Sequence, residues 1–311
     1  MIEILLTMLP IYLMIMVGYS AVRTGYFDAG YVMGLSQFAL KICLPALVFT
    51  AIALPRSGGD LNLSFFAGYM LGSLGAMIVG FAAVRIFLRR ASSESWILAL
   101  GMSTSNSGYL GFPIASLFFG PDAAVVFAMT MLVESTVTIP LATIAASISG
   151  GNGAKMSKLV GDTLRTIIRN PLILTVAIAM TVRLAGVPVL GSMQDLVRML
   201  AMVASPLALF VIGATVARMS LSGHWRRSVA VSLGKLLVHP LLVAAMLLII
   251  PGVPTALIPI GILFAAVPMV TIYPILAAPF GLSSVSSASL LVATILSCVT
   301  VTVLLGILTG G

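Results

Sequence analysis

The chain has 311 residues, of which 60% are hydrophobic and only 8% are charged, and its mean hydropathy is +1.20. Soluble globular domains contain about 45–50% apolar residues, so this composition excludes an ordinary soluble fold. The net charge of +8 is typical of basic loops on one side of a membrane, and we expect no nucleic-acid partner.

Apolar stretches of about 20 residues recur along the chain, and each can cross a bilayer core of roughly 30 Å as a helix. We predict an all-α polytopic membrane protein. The ten predicted spans are 3–22, 31–54, 64–88, 96–119, 122–148, 168–187, 195–217, 228–250, 256–280 and 284–308. The first lacks a basic leader and a cleavage site, so we interpret it as a retained helix. Cys43 and Cys298 lie inside spans and form no disulfide or metal-ligand pattern.

Basic residues are distributed unevenly between the predicted loops. The loops after spans one, three, five and seven contain Arg23, Arg85, Arg89, Arg90, Lys155, Lys158, Arg165, Arg169, Arg218, Arg226 and Arg227, whereas the opposite side contains Arg56, Arg183 and Arg198. Eleven basic residues against three predict that both termini lie outside, in the plasma membrane or bacterial inner membrane.

The two halves of the chain are related at a constant offset of 161 residues. The matching pairs are Pro10 and Pro171, Gly25 and Gly186, Pro45 and Pro206, Phe49 and Phe210, Pro113 and Pro274, and Phe119-Gly120 and Phe280-Gly281. Each half has five predicted spans, an odd number, so the second five-helix repeat must be inverted relative to the first. We predict repeats at 1–148 and 168–311, joined by a cytoplasmic linker at 149–167 whose basic part lies along the inner leaflet. Inverted repeats are typical of secondary transporters, with the substrate site at broken helices near the midplane.

Spans four and nine have polar or helix-breaking centres at repeat-related positions. They contain "STSNSGYLGFPI" (103–114) and "AAVPMVTIYPI" (265–275). Because proline is favourable in the first turn of a helix, Pro113 and Pro274 predict new half-helices there. We therefore predict unwound segments at Asn106–Phe112 and Pro268–Tyr273. The alternative is a pair of proline-kinked packing helices.

Two half-helices that begin at the midplane would direct free N–H groups and partial positive charge toward one point, which suits an anion. Asn106 adds an amide donor, and nearby serine, threonine and tyrosine residues add hydroxyl groups. The candidate substrate-binding residues are Ser103, Ser105, Asn106, Gly108, Tyr109, Gly111, Pro113, Pro268, Thr271, Tyr273 and Pro274.

The sequence "NSGYLGFPI" (106–114), the "LPALVF" span (44–49) and the five-plus-five organisation resemble the auxin efflux carrier family, which includes bacterial organic-anion carriers and plant PIN-formed proteins. The resemblance covers essentially the whole chain. It implies ten helices with crossing broken helices four and nine, as in the related bile acid/sodium symporters, an elevator-like cycle, and often a homodimer. It also implies that Asn106 contacts the substrate carboxylate. Family members often have asparagine in the ninth-span crossover too, whereas this chain has Val270-Thr271-Ile272.

Four ionisable residues inside spans are candidates for a coupling or charge network: Lys41, Glu134, Lys235 and His239. Such residues are costly in a bilayer unless they are paired or face a cavity. Glu134 is the natural proton-linked group, or else a permanent partner of Lys41 or Lys235. Lys235 and His239 share one helix face, although Lys235 is close enough to a span end to snorkel and His239 could be a hydrogen-bonded packing residue.

These observations favour a secondary active transporter of a small organic anion, such as a mono- or dicarboxylate or an auxin-like acid. Coupling to H⁺, coupling to Na⁺ and uniport all remain open, and no other cofactor or metal is expected. A sodium-coupled symporter, an anion channel and a ligand-sensing membrane protein are the alternatives. No phosphate loop or metalloprotease motif is present, so an enzyme is not expected.

Overall fold

The computed structural model describes residues 2–54, 61–150, 156–219 and 225–309, and every regular element in these ranges is helical. The helices are α1 (Ile2–Arg23), α2 (Tyr31–Ala53), α3 (Leu63–Phe87), α4 (Ser92–Ser103), α5 (Phe112–Phe119), α6 (Asp122–Ser149), α7 (Met156–Ile168), α8 (Pro171–Leu184), α9 (Gly191–Val216), α10 (Trp225–Ile249), α11 (Leu257–Ala266), α12 (Tyr273–Ala277) and α13 (Ser283–Thr309). The all-helical prediction is therefore confirmed. Arg56 and Lys155 lie outside the described residues.

Seven helices in the described ranges are long and apolar enough to cross a membrane, namely α1, α2, α3, α6, α9, α10 and α13. They correspond to predicted spans one, two, three, five, seven, eight and ten. Helices α7 and α8 together pass the same test but meet at a bend of 55°. Predicted spans four and nine are interrupted, so neither is one continuous helix. The count of ten spans and the inversion of the second half remain predictions.

Four π-helical turns occur in the described ranges, and each one ends two residues before a proline. They are Ala39–Cys43, Ser107–Gly111, Glu134–Thr138 and Gly234–Val238, and the prolines that follow are Pro45, Pro113, Pro140 and Pro240. Proline has no N–H, and its ring crowds the carbonyl four residues earlier. A π-turn accommodates that conflict without ending the helix.

The helices divide into two groups by their most extensive contacts. Helices α1, α2, α8 and α9 pack on one another, mainly through the pairs α1–α9, α2–α8 and α2–α9. The second group contains α3, α4, α6, α10, α11 and α13, with the strongest pairs α3–α4, α3–α10, α10–α13 and α4–α6. The first broken segment, α4–α5, lies where these groups meet, because the π-turn before α5 contacts α9 of the first group as well as α6 and α11 of the second.

The closest backbone approach within the first group is between α1 and α9. A Cβ atom added to Gly18 would lie 2.1 Å from the carbonyl oxygen of Phe210, and one added to Gly213 would lie 1.9 Å from that of Ile15. Small residues at such positions let membrane helices approach closely.

Candidate functional site

The first break interrupts predicted span four after Ser103. Residues Thr104–Asn106 are non-helical, Ser107–Gly111 forms a π-turn, and α5 begins at Phe112 with Pro113 in its first turn. The predicted unwound segment, Asn106–Phe112, was therefore placed too late. The difference arises because Gly108 and Gly111 are packing residues and do not break the helical structure. A Cβ atom added to Gly108 would lie 2.9 Å from Leu44, and one added to Gly111 would lie 2.7 Å from Phe264.

The second break interrupts predicted span nine and lies close to its predicted position. Helix α11 ends at Ala266, α12 begins at Tyr273, and Pro274 is in the first turn of α12. The backbone N–H of Asn106 donates to the carbonyl of Pro268 over 2.7 Å, so the two breaks touch directly. Helix α12 has only five residues and continues as a 3₁₀ turn, Ala278–Phe280. One turn carries little macrodipole, so the second half-helix supplies less positive potential than the sequence suggests.

Most hydroxyl groups at the first break donate hydrogen bonds to backbone carbonyls of the protein. The Oγ of Ser103 donates to the carbonyl of Ala99 (3.0 Å), and Oγ1 of Thr104 donates to that of Leu100 (2.8 Å). The hydroxyl of Tyr109 donates to the carbonyl of Ser36 (2.9 Å), which ties the break to α2. These side chains stabilise the interrupted helix.

The side chain of Asn106 differs from these hydroxyls. Only 6% of the residue is exposed, and among the described residues no hydrogen-bond partner is found for its amide. The backbone N–H groups of Ser107, Gly108 and Tyr109 likewise have no acceptor within the described part of the chain. A carboxylate is the kind of ligand that would satisfy such a set of donors.

Two hydroxyls of the second break are also unpaired. Thr271 Oγ1 and Tyr273 OH are buried without a hydrogen-bond partner in the described ranges. Tyr273 packs closely against Gly101 of α4: a Cβ atom added to Gly101 would lie 2.7 Å from the hydroxyl oxygen of Tyr273. Tyr273 therefore contacts the backbone before the first break rather than Asn106.

A buried charge cluster joins the first break to α6, α10 and α11. Glu134 Oε1 accepts hydrogen bonds from the backbone N–H of Ser105 (3.0 Å) and the hydroxyl of Ser107 (2.9 Å). Lys235 Nζ donates to Ser105 Oγ (2.8 Å) and lies 2.7 Å from His239 Nδ1. Ser105 therefore connects the buried carboxylate to the buried ammonium.

Three of the four ionisable candidates meet in this cluster, and the fourth does not. Glu134, Lys235 and His239 are each at most 1% exposed, so the expectation that Lys235 snorkels to a span end is wrong. Lys41 is exposed on α2, where its Nζ approaches Gln37 Oε1 at 3.4 Å, and it does not pair with Glu134.

Sequence reasoning missed Tyr69 and Ser73 of α3. Ser73 Oγ lies 2.9 Å from His239 Nε2, and the Tyr69 hydroxyl lies 3.4 Å from Ser105 Oγ. Nothing in the sequence separates these residues from ordinary packing residues of an apolar span. Within the described residues, no group of three His, Cys, Asp or Glu side chains could hold a metal ion.

A cavity of about 700 Å³ lies beside the segment that follows the first break. Its walls come from α1, the end of α9 and α13, and Leu110 and Ile114 form part of its lining. Arg23, the last residue of α1, also lines it. Tyr12 lies on its wall and hydrogen-bonds the carbonyl of Cys298 over 2.9 Å.

Comparisons with known proteins agree with this architecture. A protein of Rhizobium meliloti named "Putative malonate transporter" is 28% identical over 317 residues, covering 100% of this chain and 98% of that protein. "Uncharacterized transporter YfdV" of Escherichia coli is 23% identical over 68% of both chains. An "Uncharacterized transporter" of Methanothermobacter thermautotrophicus is 25% identical over 49% of this chain and 50% of its own. The family model described as "Membrane transport protein" matches residues 3–305. The chain therefore belongs to this family, that of the PIN-like auxin efflux carriers, and is a multi-pass membrane transporter.

Proposed function

We propose that the protein is a secondary active transporter of a small carboxylate, which binds at the first break beside Asn106. The observation that carries the proposal is a set of donors that have no acceptor among the described residues: the Asn106 amide and three consecutive backbone N–H groups. A buried donor left unpaired costs about 1–3 kcal/mol. A bound carboxylate removes that cost, since it accepts several hydrogen bonds at once.

The charges nearby are compatible with an anion at this position. Glu134 accepts bonds from Ser105 and Ser107, on either side of Asn106, and alone it would repel an anion. Lys235 hydrogen-bonds Ser105 and offsets that charge. An anion beside Asn106 therefore meets a locally balanced pair together with unpaired donors.

A small dicarboxylate is the substrate class that we favour. The relative from Rhizobium meliloti that aligns over the whole chain is named for malonate transport. The cavity of about 700 Å³ is lined by Leu110 and Ile114, just after the first break, and by Arg23, which provides a cation to a doubly charged solute inside it. Both features suit a short, doubly charged solute.

The transport cycle that we propose is elevator-like alternating access by a ten-span fold with inverted repeats, as a homodimer. In support of the repeats, α5 and α12 begin 161 residues apart, at Phe112 and Tyr273, and so do α6 and α13, at Asp122 and Ser283. In support of the cycle, the helices pack as two groups, and the first break lies where the groups meet. The homodimer rests on the family resemblance, and the mass of the purified protein in nanodiscs tests it.

Counterflow in proteoliposomes tests the function. Vesicles loaded with unlabelled malonate should transiently accumulate labelled malonate above its external concentration, in choline medium without sodium or a pH gradient. Protein-free vesicles and vesicles loaded with glucose are the controls. Succinate, lactate and indole-3-acetate as competitors rank the carboxylate classes.

Each alternative predicts a different result in the same assay. An anion channel equilibrates the label without an overshoot, a ligand sensor shows no uptake, and a sodium-coupled carrier exchanges only when sodium is present. Folded protein that binds and exchanges none of the carboxylates would refute the proposal.

A further inference from the structure

One ammonium group, that of Lys235, lies at the centre of the buried cluster. Lys235 is 0% exposed and belongs to the π-turn of α10. An ammonium has three hydrogens and no lone pair, so it needs three acceptors when buried. It has three: Ser105 Oγ at 2.8 Å, His239 Nδ1 at 2.7 Å and the carbonyl oxygen of Ala265.

The hydrogen-bond network assigns His239 as a ligand of this cation. Because its Nδ1 accepts from Lys235, its proton is on Nε2, which donates to Ser73 Oγ over 2.9 Å. This tautomer satisfies both ring nitrogens. His239 therefore contributes a lone pair to the ammonium and does not add a second positive charge.

Two sources of negative potential act on the same point. Glu134 is the only buried carboxylate in the described ranges, and it is joined to the ammonium through Ser105. The carbonyl of Ala265 belongs to the last turn of α11, where the helix dipole is negative. In a water-poor interior such a set of acceptors favours a cation strongly.

We propose that this cluster is a binding site for a monovalent cation, and that the chain fills it with its own ammonium, Lys235. The tethered cation joins Ser105 of the first break to Ala265 at the end of α11, next to the second break. It therefore holds the two breaks together without a soluble ion. The site adjoins the proposed substrate position, since Ser105 precedes Asn106, but its test does not depend on which solute the protein carries.

Replacing the tethered ion with a soluble one tests this site. Lys235→Ala removes the ammonium and its chain, which leaves Glu134 unpaired beside an empty space. In choline chloride the purified variant should have a lower melting temperature than the wild type. Ammonium or ethylammonium chloride at the same ionic strength should restore it saturably, by about 5 °C at a hundredfold excess over the dissociation constant.

Lys235→Met is the matched control, because it removes the charge but fills the space. It should show no saturable response to ammonium, and the wild type should show none either. Equal responses of Lys235→Ala and Lys235→Met to every cation would overturn the proposal, since they would reflect a salt effect without a site. The readout is protein stability, so failure of this test leaves the proposed transport function untouched.

A second comparison covers the case in which Lys235→Ala does not fold. The double variant Glu134→Gln/Lys235→Met lacks both charges and should melt at a higher temperature than Lys235→Met, which keeps an unpaired buried carboxylate. An equal or lower melting temperature for the double variant would show that Glu134 does not act on the cation position, and the proposal would fail.

Discussion

At the scale of single residues, Asn106 stands out because its polar neighbours are occupied. Ser103 and Thr104 bond to carbonyls of α4, Ser105 bonds to Lys235 and Ser107 bonds to Glu134. A run of five polar residues in an apolar span thus leaves one side chain without a protein partner in the described ranges. That side chain is the one available to a ligand.

We predict that Asn106→Ala weakens substrate binding. The substitution removes a donor at a site that is almost closed to water, and leaving the ligand oxygen unpaired costs about 1–3 kcal/mol. The expected result is a loss of about five- to 150-fold in apparent affinity for malonate, measured by counterflow at increasing substrate concentration.

Ser103→Ala is the control for Asn106→Ala. Ser103 lies three residues away and is also buried, but its hydroxyl bonds only within its own helix. The affinity of Ser103→Ala for malonate should stay within about twofold of the wild type, because the lost hydroxyl bonds only to carbonyls of α4. If the two variants lose affinity equally, Asn106 has no specific role in binding.

The charge cluster illustrates what can be predicted about residues from the sequence. The four-residue spacing of Lys235 and His239 predicts that they share a face, and their side chains do meet. The contact of Lys235 with Ser105, 130 positions away, depends on tertiary packing that no local pattern encodes. The position of Lys235 near a span end allows it to snorkel, but that position does not show which face of the helix is buried. The structure shows that Lys235 lies on the buried face.

At the scale of elements, prolines explain where the structure departs from straight helices. Pro113 and Pro274 begin new helices after the two breaks, as predicted from their first-turn preference. Proline alone does not predict the π-turns, because Pro10 and Pro206 lie inside helices that have no π-turn. Proline makes a π-turn possible, and packing decides where one forms.

We predict that Pro113→Ala and Pro274→Ala impair transport more than folding. Each restores an N–H group at the start of a half-helix and lets the break shift toward continuous helix, which moves the donors beside Asn106. The initial rate of malonate counterflow per folded protein should fall severalfold. Pro251→Ala, in an exposed turn after α10, is the control; equal tolerance at all three prolines would argue that the breaks have no special role.

We predict that Gly213→Ala destabilises the protein. Its new methyl group would meet the carbonyl oxygen of Ile15 at 1.9 Å, so α1 and α9 must separate. Overpacking of this kind costs about 1–3 kcal/mol and should lower the melting temperature measured by intrinsic fluorescence. Gly34→Ala, where nothing lies within 4 Å of the added atom, is the control. A melting temperature as high for Gly213→Ala as for Gly34→Ala would contradict this close approach.

At the scale of the whole molecule, long apolar stretches are the feature that the sequence predicts best. Seven predicted spans correspond to continuous helices of membrane-crossing length. The division into two packed groups could not be predicted, because nearly all faces of these helices are apolar and hydrophobic periodicity does not distinguish a helix neighbour from lipid.

We predict that the turns after α1 and α8 lie on opposite sides of the membrane. Tyr26 and Val187 occupy matching positions, 161 residues apart, and both are exposed. An inverted repeat places them on opposite faces, and the basic-residue asymmetry places Tyr26 inside. With Cys43 and Cys298 replaced by alanine, Val187→Cys should react with a membrane-impermeant maleimide in intact cells, whereas Tyr26→Cys should react only after permeabilisation. Labelling of both in intact cells would refute the inversion, and the reverse pattern would keep the inversion but place both termini inside.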